Sequence, residues 1–334
     1  MADTTEIAWT DSTANLWWGC VEVHAGCDFC YARTFSANRT GKSLWGTDVP
    51  RRAIKGVWGD LSRWQRTAAD FFAEHGRRRT VFVGSMMDIF EKGHPALDSK
   101  GEPVEGGTAE LRRRFFEEVV PATPDLIYLL LTKRPSNVLK MVPAAWLAPG
   151  GWPAHVWVGT SVVDQQTADT LIPQILRIPG PTFLSMEPLI GPVDLTAVYA
   201  DVMDEAHGVH ALAAGIGWII VGGESGYQPG VRAMHPAWAR AIRDACAAAG
   251  VPFLFKQWGA WLPVAMPNFT FDGPRCLLWP DGHVQRATAG DVIRVSGDGW
   301  GFEKVGKEKA GRHLDQRLHD GFPEAFGRPA EVAP

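Results

Sequence analysis

Short apolar runs, each closed by turn residues, recur along the chain at residues 79–84 (RTVFVG), 126–132 (LIYLLLT), 156–161 (VWVGTS), 182–186 (TFLSM), 218–222 (WIIVG) and 252–256 (PFLFK). Each is the length of a strand and is hydrophobic almost throughout rather than alternating. That pattern predicts parallel strands covered on both faces. A further strand around residues 15–19 is expected to come first and to lead into a cysteine cluster. Between the runs lie amphipathic stretches of helical length at residues 111–120, 165–176 and 236–249, the last with an Ala-rich face and Gly250 as its stop. Strand–helix alternation repeated six or seven times implies right-handed βαβ units in an incomplete parallel α/β barrel or an open sheet.

Polar residues stand directly after the apolar runs: Ser85 and Asp88, Lys133 and Arg134, Ser161, Glu187, Glu224, and Lys256 with Gln257. In a barrel, the C-terminal ends of the strands form the functional face. Two regions break the alternation. Residues 93–107, Gly-rich and charged, read as a surface insertion. Residues 261–304 carry the turn signals Asp272-Gly273, Asp281-Gly282 and Gly297-Asp298-Gly299 and read as a small β-hairpin appendage. The expected division is therefore a partial barrel over 1–260, with an appendage and tail over 261–334. No internal repeat of solenoid period is present.

Composition narrows the class. The chain has 334 residues, 46% hydrophobic and 21% charged, with a net charge of −4, as in an ordinary folded domain. It contains no apolar stretch of the roughly 18 residues a spanning helix needs, and the first residues lack the layout of a secretion signal. The expectation is a cytoplasmic protein with no membrane partner. The negative charge argues against general affinity for a phosphate backbone; a single delivered nucleotide suits it better than a bound duplex. The basic runs at 77–79 and 112–114 are expected to be solvated helix faces or strand flanks.

The five cysteines are unevenly spread: Cys20, Cys27 and Cys30 fall together, whereas Cys246 and Cys276 stand alone and read as small core residues. Clustered thiols in such a chain indicate metal ligation rather than disulfides. The spacing C-x6-C-x2-C, with Gly19 and Gly26 to bend the loop, suits two soft-metal centres. One is an iron–sulfur cubane with three protein ligands and one open iron. The other is a closed zinc site of Cys20, His24, Cys27 and Cys30.

The cysteine segment is followed in order by VFVGSMMDIF, LLTKRP, VWVGTSV, FLSMEPLIGPVDL, IIVGGESG, VPFLFKQWG and AGRHLD. Over residues 7–314 this series resembles the phage-associated, radical-SAM-like three-cysteine family, whose pattern does not require a histidine at position 24. The resemblance implies a [4Fe-4S] cluster on Cys20, Cys27 and Cys30, with S-adenosylmethionine (SAM) on the open iron. Phe29 matches the aromatic position before the last cysteine of the wider superfamily, although the first gap is six residues where the superfamily has three. The resemblance further implies a radical enzyme acting on a nucleotide or nucleic-acid base, supplied with electrons by a flavodoxin- or ferredoxin-like donor. A partner-dependent subunit is a rival reading, and so is a zinc-stabilised binding module.

Under the leading reading, Asp88 and Ser85 are candidates for the SAM amino group. Thr132 and Lys133 are candidates for its carboxylate or for a substrate phosphate, and Ser161 for the ribose. Glu187 is a candidate for ribose or substrate, and Gly222-Gly223-Glu224 for a nucleotide-hugging turn. Four have a plainer alternative: a helix cap for Asp88 and Ser161, an ion pair for Lys133 and Glu187. Trp258 could stack on a ligand or lock the appendage to the barrel.

Overall fold

The computed structural model describes residues 3–200, 209–210, 212, 215–264, 275–287 and 297–327. Seven parallel strands form the central sheet: β1 (Ser12–Ala14), β2 (Thr80–Val83), β3 (Ile127–Thr132), β4 (Val156–Ser161), β5 (Thr182–Met186), β6 (Ile216–Gly222) and β7 (Phe253–Gln257). They lie side by side in chain order, which makes a curled, mixed α/β half-barrel. Six of the seven coincide with the apolar runs.

The first strand differs from expectation. It occupies Ser12–Ala14, where Ser12 and Thr13 hide it from a search for apolar runs. The expected segment instead turns away, and Trp17–Trp18 pairs with Arg51–Ala53 in a second, four-stranded sheet. The supposed surface insertion supplies the other two strands of that sheet, Ala96–Leu97 and Pro103–Val104. Ala96 is buried there, so the segment is structural. Gly107 is required because a Cβ at that position would come within 2.3 Å of His94 O.

Helices cover the outer face of the sheet. Four of them are α1 (Tyr31–Thr40), α2 (Gly107–Arg114), α3 (Gln165–Ile175) and α4 (Pro236–Ala249). The helix expected over 111–120 starts earlier, as α2, and continues through a π-turn at Phe115–Val119. Asp164 and Thr167 form a reciprocal capping box at the start of α3. Gly250 ends α4 at φ +67°, in the left-handed region that glycine tolerates. No helix among the described residues is long and apolar enough to cross a membrane.

The inner face of the sheet has its own core. Phe82, Ile127, Leu129, Trp157, Phe183, Trp218, Ile220 and Leu254 pack there with Trp9 and Phe326. Trp9 meets Phe82 with centroids 4.5 Å apart, and Phe326 meets Trp157 at 5.1 Å. Residues from the two ends of the chain thus plug the lower half of the half-barrel. The tail also covers the free edge of β7: Phe255 N donates to His319 O at 2.8 Å and Gly321 N to Phe253 O at 3.0 Å.

The appendage is larger than a hairpin. It is a four-stranded antiparallel sheet of β8 (Trp261–Val264), β9 (Arg275–Leu278), β10 (Val284–Ala287) and β11 (Trp300–Lys304), in the order β8-β11-β9-β10. Its turn at Asp281-Gly282 is observed, as is the one at Gly297-Asp298; Asp272-Gly273 lies outside the described residues. Cys246 and Cys276 are buried free thiols, each pushed up to about 12 by burial.

The basic runs are not simply solvated. Arg77 grips Asp11 through two hydrogen bonds, Arg78 is 9% exposed, and Arg112 is 8% exposed and donates to Ile89 O and Glu91 O. Guanidinium groups satisfy several carbonyls at once, which makes these arginines internal ties.

Candidate functional site

Side chains alternate across a strand, so the inner-face positions can be followed upward from the aromatic plug. They lead to Lys133 just after β3, Ser161 on β4, Glu187 after β5, Gly222 on β6 and Lys256 on β7. The inner face is therefore apolar in its lower half and polar at the C-terminal mouth. The contacts agree with that parity. Lys133 Nζ donates to Ser161 Oγ at 3.1 Å. Lys256 Nζ lies 2.7 Å from both carboxylate oxygens of Glu187, and Gln257 Nε2 adds a bond at 3.2 Å.

The cysteine loop lies across this mouth. Gly19 N donates to Met86 O beyond β2. Arg134, beyond β3, donates from Nη2 to Val21 O at 2.6 Å and places Nη1 3.9 Å from Cys20 Sγ. A Cβ at Gly26 would come within 2.8 Å of Val163, beyond β4. On the far side Arg232, which follows β6, donates to Ala25 O at 2.9 Å and to Asp28 at 3.1 Å. Its guanidinium carbon sits 5.3 Å from the Phe29 ring centroid. Phe29 presses so closely on Gly230 that a Cβ there would fall 2.3 Å from the ring. A short 3-10 turn, Ala25–Cys27, joined by the bond from Cys30 N to Cys27 O at 3.2 Å, makes the second half of the loop compact.

Two buried carboxylates hold the loop from below. Asp88 accepts from Thr132 Oγ1 at 2.8 Å, Lys133 N at 3.1 Å, Arg134 Nη1 at 2.7 Å and Phe90 N at 3.0 Å. Four internal partners occupy this carboxylate, and the segment that follows is a turn rather than a helix. Asp88 thus acts as a brace between the ends of β2 and β3. Glu91 accepts from Val21 N at 2.9 Å and pairs with the fully buried Arg51 at 2.6 Å. Arg51 in turn donates to Leu44 O, Gly46 O and Val49 O, and Gly46 N returns to Cys20 O at 3.1 Å. Burial, with Asp88 and Glu91 nearby, pushes the Cys20 thiol up to about 12 against the opposing pull of Arg134.

The remaining sequence candidates fall into two groups. Ser85, Thr132, Lys133, Ser161 and Glu187 are brought together at the mouth. Ser85 Oγ accepts from Asn15 Nδ2 at 2.8 Å, and its carbonyl accepts from Tyr31 Oη at 3.0 Å. Ser161 does not cap α3, since Asp164 does. Lys133 has no carboxylate within ion-pairing distance among the described residues; its amine is turned toward the mouth with one hydroxyl partner. The second group has packing reasons. A Cβ at Gly223 would lie 2.0 Å from Trp258 O, and Gly223 N is taken by Gln257 O at 2.9 Å. Glu224 is buried and bonded to Arg232 N at 2.8 Å and to its guanidinium. Trp258 is 5% exposed with Nε1 on His313 O at 2.9 Å, so it locks the tail rather than offering a stacking face.

Sequence reasoning passed over Arg51, Glu91, Arg232 and Tyr31. Glu91 carried a signal, because a carboxylate set within Ile-Phe-Glu must find a partner if it is buried. Arg51 carried none.

The metal readings can be weighed on this geometry. Three thiols on one loop at one mouth fit an iron–sulfur cluster in donor type, number and location. No group of three or more His, Cys, Asp or Glu converges on a possible metal position among the described residues. His24 fits a zinc site poorly. Its Nδ1 accepts from Gly26 N at 3.1 Å, which leaves the proton of a neutral ring on Nε2 and no lone pair to offer. Burial first, and then Lys133, lower the His24 pKa to about 4, so the ring is neutral near pH 7.

No curated protein matches this chain, and no solved structure does. One family model matches residues 4–323, nearly the whole chain. The chain therefore belongs to the family described as "Protein of unknown function (DUF5131)".

Proposed function

We propose that this chain is a radical enzyme that holds a [4Fe-4S] cluster on Cys20, Cys27 and Cys30 and uses it with SAM. The observation that carries this reading is the loop bearing three thiols, laid across the polar mouth of a parallel half-barrel whose lower half is sealed by aromatic rings. Cys20, Cys27 and Cys30 would hold the cluster, which would supply the electron for reductive cleavage of SAM and so for hydrogen abstraction from substrate. With three protein ligands instead of the usual four, such a cluster would be able to take SAM as well. An external one-electron donor is required.

The chain's own residues supply position and electrostatics. Asp88 and Arg134 fix the ends of β2 and β3 against the loop, and Glu91 with Arg51 fixes Val21 beside Cys20. The Lys133 side chain, which has no carboxylate in ion-pairing distance among the described residues and donates to Ser161, is a ready partner for the carboxylate of SAM or a substrate phosphate. The Glu187–Lys256 pair presents polar atoms on the opposite wall. The aromatic plug keeps water from entering from below, which protects a reactive intermediate.

The test is anaerobic reconstitution with iron and sulfide, followed by dithionite and SAM. We expect bound iron, release of 5′-deoxyadenosine, and loss of both in Cys27→Ala. Colourless protein with one tightly held zinc would overturn the reading. Iron without SAM cleavage would point instead to a structural cluster in a partner-dependent subunit.

A further inference from the structure

Helix α1 starts at the residue after Cys30 and carries an exposed stripe away from the mouth. Tyr31 and Phe35 are 54% and 48% exposed, unusual for aromatic side chains on a helix that otherwise packs Ala32 and Ser36 inward. Together with Arg39 they stand four residues apart and so share one helix face. Arg39 lies 6.0 Å from the Phe35 centroid. Trp18 meets Phe35 edge to face at 6.1 Å, and Arg52 is the direct cross-strand partner of Trp18, which puts its side chain on the same face. The stripe is therefore continuous: Tyr31, Phe35, Trp18, with Arg39 and Arg52 flanking.

Arg39 and Arg52 bring positive charge to this surface. Within residues 31–55 there are six Lys or Arg and one acidic residue, Asp48, in a chain whose net charge is −4. Arg33 is paired with Glu22 and Arg51 is buried with Glu91. The other four, Arg39, Lys42, Arg52 and Lys55, are exposed and have no ion pair among the described residues. The whole-chain charge had argued against a nucleic-acid partner; the unpaired Arg39 and Arg52 beside the rings weaken that argument locally.

We propose that this surface binds a single polynucleotide strand and leads it to the mouth beside Cys30. Aromatic faces interleaved with unpaired cations are the recognition chemistry of single strands, in which bases stack on rings while phosphates meet Lys and Arg. A duplex hides its base faces, and an acidic protein surface would use the cations but leave the rings without stacking partners. The stripe's place as a substrate track rests on the radical reading above; its binding of a strand does not.

The experiment is fluorescence anisotropy of the full chain with labelled single strands of about 12 nucleotides, DNA and RNA in separate arms. A duplex of equal length and polyglutamate of equal charge serve as competitors. Binding is expected to weaken about 5-fold or more in Phe35→Ala, the cost of one lost stacked base. In the Arg39→Gln/Arg52→Gln double variant the slope of log affinity against log salt should shrink by about 1.4, roughly 0.7 for each cation. Circular dichroism checks that both surface variants fold. The proposal is overturned if neither strand binds at low salt, if both variants bind like the parent, or if duplex or polyglutamate competes as well as the strand. Anisotropy is measured before and after reconstitution with iron and sulfide: strand binding without bound iron, or bound iron without strand binding, separates failure of the cluster reading from failure of this surface.

Discussion

Arg51 and Arg52 are neighbours in the sequence with opposite fates. Arg52 is exposed, whereas Arg51 is wholly buried and spends its donors on Glu91 and three backbone carbonyls. Nothing in Val-Pro-Arg-Arg-Ala distinguishes them, because burial is set by which side of a short strand faces the cysteine loop. Arg51 and the Leu44 carbonyl it binds also explain Gly19, where φ is +119° and a Cβ would lie 2.4 Å from Leu44 O and 2.7 Å from the arginine Cδ. Replacing Arg51 with Met leaves the Glu91 carboxylate buried without its guanidinium. We expect a loss of about 3–5 kcal/mol, read as a lower urea midpoint at unchanged slope. A variant within about 1 kcal/mol of the parent would show that Arg51 does not hold this region together.

At the level of elements, long apolar strands were readable and short polar ones were not. β3 and β4 reveal themselves by composition, while β1 and the two-residue strands of the second sheet exist only because neighbours offer hydrogen bonds. The C-terminal tail is a similar case. Asp315 and Gln316 adopt left-handed backbone, φ +53° and +64°, and Asp315 is held by Arg240 and Arg243 of α4, each at 2.6 Å. The Arg240 hydrogen bond, with Arg243 assisting against burial, lowers the Asp315 pKa to about 2. A carboxylate whose pKa is depressed on folding stabilises the fold above its unfolded pKa, about 3.9, and loses that contribution as pH falls toward 2. The side chain is partly exposed and screened, so the effect is on the order of 1 kcal/mol or less. Asp315→Asn keeps the shape and tolerates the left-handed turn. Its melting temperature should fall below that of the parent at pH 7, and the difference should vanish near pH 2. An equal difference at both pH values would mean that charge is not what clamps the tail.

For the whole molecule, the decisive feature is a half-barrel that closes with its own ends. Trp9 and Phe326 meet the inner face from opposite termini, and Phe326 is 1% exposed against Trp157 and Trp218. Phe326→Ala should cost about 3–5 kcal/mol by urea unfolding, as a core residue does; a surface-like loss below about 0.5 kcal/mol would show that the plug is not load-sharing. The sequence by itself determined the parallel α/β plan, because runs buried on both faces and spaced by helices have few other solutions. It also placed three thiols and a set of polar residues at strand ends, since period-two alternation puts Lys133, Ser161, Glu187 and Lys256 on one inner face. Tertiary structure alone decided which of those groups are spent on one another. Asp88 and Glu224 are consumed by Arg134 and Arg232, Gly223 by the approach of Trp258, and Lys133 is left with a hydroxyl. Most of these pairings join residues tens of positions apart, and even Glu224 with Arg232 is set by a loop's path, which local pattern does not encode.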